Sequence, residues 1–99
     1  MLFHTTWEFT DTSEASIQRN LAFFAQWEPP DGFEFKGFWG NADGSGGVAI
    51  VETDSAATLA RATASFTPWL RFSTTPILPV EEASAIAAEA VAARASVGK

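Results

Sequence analysis

Ninety-nine residues with 12 acidic against 6 basic side chains, a net charge of −6, make one small acidic domain. That charge repels phosphate backbones and anionic lipid, which argues against nucleic-acid and membrane partners, and the lack of cysteine excludes disulfides and thiolate chemistry. No stretch approaches the roughly 18 apolar residues of a membrane span, and the opening residues lack a signal peptide's basic start, so a soluble, cytoplasmic protein is expected.

Leu2 to Phe9 alternates Phe3, Thr5, Trp7 and Phe9 with Leu2, His4, Thr6 and Glu8, the period of a strand with two unequal faces. Asp11-Thr-Ser-Glu14 then reads as a capping box with Asp11 as the cap. The helix that follows carries Ile17, Leu21, Phe24 and Trp27 inward, and Pro29-Pro30 prevents its continuation.

Phe33 to Trp39 and Gly47 to Glu52 read as two strands of a hairpin, because the residues from Gly40 to Gly47 hold four of the seven glycines. Asn41 is assigned there as a turn residue with positive φ. Asp54 or Ser55 caps a second helix with Ala56, Leu59, Ala60, Thr63 and Phe66 inward, and Pro68 ends it. Trp69 to Leu78 is the fourth strand. From Val80 to about Ala95 runs an alanine-rich third helix with Ala83, Ile86, Ala87, Ala90 and Val91 on one face.

Right-handed crossovers and an intact hairpin turn this order into a ferredoxin-like α+β fold: βαββαβ, a four-stranded antiparallel sheet in strand order four, one, three, two, and an extra C-terminal helix. Residues 1–95 form the domain and 96–99 a frayed tail. One sheet face then lies bare, with Leu2, His4, Thr6, Glu8, Glu34, Lys36 and Phe38 on it. A half-apolar bare face in so small a chain predicts a homodimer.

Met-Leu-Phe at the start, Gly-Phe-Trp-Gly-Asn-Ala-Asp-Gly-Ser-Gly-Gly with Val-Ala-Ile-Val-Glu after it, and the late Trp-Leu-Arg-Phe-Ser-Thr-Thr-Pro-Ile-Leu carry a resemblance over about residues 1–80. The chain resembles a family of short bacterial proteins known only as a domain of unknown function, itself similar to the dimeric α/β-barrel superfamily. The resemblance implies two ferredoxin-like subunits pairing sheet to sheet, and it implies no reaction. The family pattern commonly has Arg-Trp-His before the turn, where this chain has Phe38-Trp39-Gly40, so no proton-transfer role for that histidine carries over.

His4 is the one side chain whose ordinary pKa lies near neutrality. It reads either as a general base or as a structural histidine at a core or interface, and the structural reading is favoured because no carboxylate is placed to orient its ring. Trp39, Asn41 and Arg71 resemble the polar and aromatic set that cofactor-independent oxygenases of the superfamily place around flat substrates, against a plainer reading as packing and turn residues. Arg71 is expected to pair with Glu8 or Glu34. The acidic residues show no metal-ligand spacing, and Gly44-Ser-Gly-Gly47 lacks the lysine and helix of a phosphate loop, so neither metal nor cofactor is expected.

Two functions remain. The favoured one is a homodimeric binding or accessory module; the other is a cofactor-independent monooxygenase or isomerase-like enzyme acting on a small apolar or aromatic ligand held by His4, Trp39, Asn41 and Arg71. A closed pocket of roughly 300 Å³ or more beneath the second strand, lined by Trp39, Phe35 and the first helix, would favour the enzyme; aromatic side chains filling that space would favour the binding or accessory module.

Overall fold

A computed structural model describes residues 1–98. Its elements run β1 (Leu2–Phe9), α1 (Glu14–Gln26), β2 (Phe33–Gly40), β3 (Gly46–Thr53), α2 (Ala56–Ala64), β4 (Leu70–Ile77) and α3 (Val80–Val97). The four strands form one antiparallel sheet in the order β2-β3-β1-β4, which read from the other edge is four, one, three, two. The architecture is broadly ferredoxin-like. Pro76 is tolerated inside β4 because that strand is an edge.

Local chemistry sets the helix ends. Ser13, not Asp11, caps α1: its Oγ accepts from the Ser16 amide at 3.3 Å, while Asp11 accepts from the Ser13 amide one step earlier. Ser55 caps α2 by accepting from the Thr58 amide at 3.2 Å. Trp69 belongs to the turn before β4, its amide bonded to the Phe66 carbonyl at 3.0 Å.

A bulge in β2 changes which residues share a face. Phe35 lies opposite Val51 and Gly37 opposite Ile50, so Lys36 is the extra residue and the alternation reverses beyond it. Phe38 therefore turns to the helix side, where its ring stacks on Phe35 at 4.6 Å, and Trp39 takes the bare face instead. The expectation that Phe38 lies on the bare face is corrected by this one-residue insertion. The Trp39 ring folds back over Gly37, and a side chain at that position would displace it. The bulge, with its lysine, also disrupts an edge that could otherwise recruit another strand.

The buried apolar core is compact: Phe3, Ala49, Val51 and Leu59, with Trp7, Phe33 and Phe35 packed against it. Helix α2 approaches the sheet through Leu59 and Ala62 and ends at Ala64, so Phe66, expected on its inward stripe, is buried from the turn that follows, and Ala56 and Ala60 of that stripe face solvent. Helix α1 stands further out. Leu21 is 58% and Phe24 41% exposed, and the buried residue of α1 is Asn20. Helix α3 has no buried residue and leaves Ile86 and Val91 exposed. It extends to Val97, past the expected end at Ala95, and Lys99 lies outside the described residues.

Candidate ligand cavity between sheet and helices

Because α1 stands off while β1, β2 and β4 carry rings on the helix side, a cavity of about 340 Å³ opens between them. Aromatic side chains dominate its wall: Trp7, Phe24, Trp27, Phe35, Phe38 and Phe66. These rings brace one another in tilted and edge-to-face pairs, with Trp27 and Phe66 at 5.1 Å, Trp7 and Phe38 at 5.1 Å, and Phe24 and Phe38 at 5.9 Å. The cavity reaches solvent, since the wall residues Leu21 and Phe24 are themselves exposed. Aromatic packing thus lines the space without filling it.

Among the described residues, the wall contains no ionisable side chain. Its polar groups are hydroxyls and amides. Thr5 Oγ1 lies 3.4 Å from Thr74 Oγ1, Thr63 Oγ1 donates to the Leu59 carbonyl at 3.2 Å, and Asn41 Nδ2 donates to Ser45 Oγ at 3.0 Å. Asn20 differs. It is 7% exposed, and its Oδ1 is buried with no hydrogen-bond partner. An acceptor left in that state costs about 1–3 kcal/mol of folding stability.

The four residues singled out in the sequence are dispersed. His4 sits half-buried on the opposite face, between Ile50 of β3 and Thr75 of β4, and is not a wall residue. Trp39 is 58% exposed on that same face, so the expectation that it lines a pocket with Phe35 is corrected; the bulge places the two on opposite sides. Arg71 donates to Glu8 Oε1 at 3.1 Å, its partner directly across the β1–β4 ladder, as one of the two expected pairings.

Asn41 touches the rim of the cavity, but its groups belong to the hairpin loop: the side-chain amide donates to Ser45 Oγ and the backbone bonds Gly46 and Gly44. No non-glycine residue among those described has positive φ, so Asn41 serves the turn through its side chain, not through a left-handed backbone. The structure brings Asn41 and Arg71 together at a separate, more polar depression of about 350 Å³ with Glu8 and Ser45. Ser45 also bonds Asp43 through its hydroxyl and amide, which holds the Asp43 carboxyl below its ordinary range of 3.8. That network is satisfied within the loop.

The match to known families falls on nearly the whole of this architecture. Residues 1–91 match the family described as Domain of unknown function (DUF3303). The chain belongs to that family. Its description assigns no activity, and no curated protein matches the chain. No helix of the described residues is long and apolar enough to cross a membrane, and none of their acidic and histidine side chains gather in a group able to hold a metal ion.

For this member of DUF3303 the site residue that sequence reasoning passed over is Asn20. A signal was available: it stands three residues after Ile17 and four before Phe24, on the inward stripe of α1. A count restricted to apolar positions steps over it.

Proposed function

We propose that this protein is a binding module that holds a small, neutral, apolar molecule in the cavity between its sheet and helices. The observation that carries this reading is a solvent-connected space of about 340 Å³ walled by aromatic rings. Its size lies at the lower end of the range of small-molecule sites. A charged ligand would lose its hydration there with no counter-charge to replace it. The wall offers orientation and desolvation but no general acid or base, which favours binding over acid–base catalysis.

The test uses N-phenyl-1-naphthylamine, a neutral fluorophore that brightens in apolar surroundings. Trp7 and Trp27 line the cavity, so bound probe will show saturable energy transfer from tryptophan at about one probe per chain. A linear, unsaturated rise would contradict the reading.

We further propose a homodimer assembled through the bare sheet face, as in the dimeric α/β-barrel superfamily. Val48 and Ile50 of the inner strand β3 are half-buried near its middle. The Glu8–Arg71 and Glu34–Lys36 pairs, the latter at 3.3 Å, lie toward its margins. An apolar centre with a charged rim is the usual anatomy of a protein interface. Under this assembly His4 is an interface histidine, and the helix-side cavities of the two subunits stay accessible on the outside.

A further inference from the structure

We infer that the exposed indole of Trp39 is the occupant of the polar depression on a second copy of this chain, so that each subunit of the dimer completes a site on the other. This rests on the homodimer proposed above and adds to it the orientation of the pair and the residue that anchors it.

The strand registers put both parts on one face of the sheet. Trp39 lies opposite Val48, Val48 opposite Thr6, and Thr6 opposite Ser73, so these residues cross the sheet at one level from the β2 edge to the β4 edge. The bulge at Lys36 turns the Trp39 ring to the bare face, where it lies over Gly37 and stays exposed. Toward the other edge, the depression of about 350 Å³ takes in Thr6 and Ser73 at that same level and Glu8 and Arg71 one step further along the strands. A two-fold axis parallel to the strands, between two stacked bare faces, exchanges the edges and keeps the level. It lays Trp39 of one copy over Ser73 of the other, at that copy's depression, and does so twice per dimer. A two-fold across the strands would instead set Trp39 over the partner's Gly37, where the partner's own indole lies, and leave both depressions uncovered.

The chemistry of the two parts matches. An indole presents a π face and one N–H donor, and tryptophan is the side chain most often found as an interface anchor. The depression presents the exposed Arg71 guanidinium, which suits a ring face, and the Glu8 carboxylate and Ser73 hydroxyl as acceptors for the N–H. The Trp39 ring is already held against Gly37 in the single chain, so little side-chain freedom remains to be lost on association.

Sedimentation equilibrium of the full chain measures the dimer dissociation constant. Trp39→Ala is expected to raise it by at least about thirtyfold, the effect of removing an interface anchor. Ser73→Glu, which puts a carboxylate against the ring face from the other side of the contact, is expected to raise it as well. Mixing the two variants then separates the orientations. The mixed dimer keeps one native contact, Trp39 of the Ser73→Glu chain against the intact Ser73 and Arg71 of the Trp39→Ala chain, whereas each parent dimer keeps none. Native mass spectrometry of the mixture will therefore show mixed dimers well above the statistical share of random pairing. Trp39 and Ser73 are both exposed in the single chain, so the variants will keep the native circular dichroism. Arg71→Ala replaces Ser73→Glu in the mixture should the latter fold poorly.

A native dimer whose dissociation constant is unmoved by Trp39→Ala would overturn the inference and leave the homodimer standing. Weakening by both variants without enrichment of the mixed dimer would also overturn it, since Trp39 would then contact something other than the partner's depression. A native chain that sediments as a monomer would remove the homodimer and the inference with it.

Discussion

On α1, Ile17, Asn20, Leu21 and Phe24 recur at spacings of three and four, so the helix carries an amide on the face that presents its apolar side chains. In a filled core that position would be occupied by leucine or alanine. Here the residue lines an open space, and its Oδ1 is buried without a partner at a cost in stability. Asn41 and Arg71 show the opposite condition. Both are bonded within the protein, to Ser45 and to Glu8, so their polar groups are engaged in holding a hairpin loop and a cross-strand pair. An exposed ion pair of the Glu8–Arg71 kind contributes little by itself.

Helix α2 and helix α1 face the same sheet on different terms. Leu59 of α2 is 8% exposed and packs in the core cluster, whereas Phe24 of α1 keeps two-fifths of its surface. Leu59→Ala should therefore cost about 2–5 kcal/mol in urea unfolding, the range for a buried leucine, and Phe24→Ala only about 1–2 kcal/mol despite its larger ring. Equal losses would mean that α1 closes onto the sheet in solution and that the cavity does not persist. Sequence periodicity gives α1 its apolar stripe but not its distance from the sheet. That distance depends on how far Trp7, Phe35 and Phe38 project from the strands below, which is a sum over residues remote in the chain.

The strand order was legible because the hairpin around Gly40–Gly47 and the two crossovers leave few topologies. Which residues share a face of β2 was not, because a bulge is a single-residue event: Lys36 lies outside the ladder, and Phe38 and Trp39 exchange sides. The one trace of it in the sequence is Gly37, whose missing side chain makes room for the Trp39 ring. Helix α3 was equally legible as a helix and illegible in its packing. Its alanine-rich face meets no buried surface within the chain, and periodicity carries no information on what lies opposite.

For the whole molecule, the proposed function gives the two faces of the sheet separate tasks, the helix side to enclose a ligand and the bare side to join a second copy. Light scattering at micromolar concentration should give twice the 10.6 kDa chain mass, with an interface on the order of 2,000 Å² in total. Ile50→Glu, at the middle of the bare face, should shift the mass to that of a monomer while leaving probe binding intact. A native protein that scatters as a monomer would remove the assembly.

The division of faces is tested most directly by methyl-resolved NMR of the Ala-, Ile-, Leu- and Val-labelled protein titrated with 2-naphthol. Ala49, Val51, Leu59 and Ala62 line the cavity, while Val48, Ile50 and Ile77 lie on the opposite side of the same sheet. The account predicts saturable shifts and ligand-to-methyl contacts at the first group, with the second group unmoved. Contacts to Val48, Ile50 or Ile77, or saturation without any contact to Ala49 and Ala62, would contradict it.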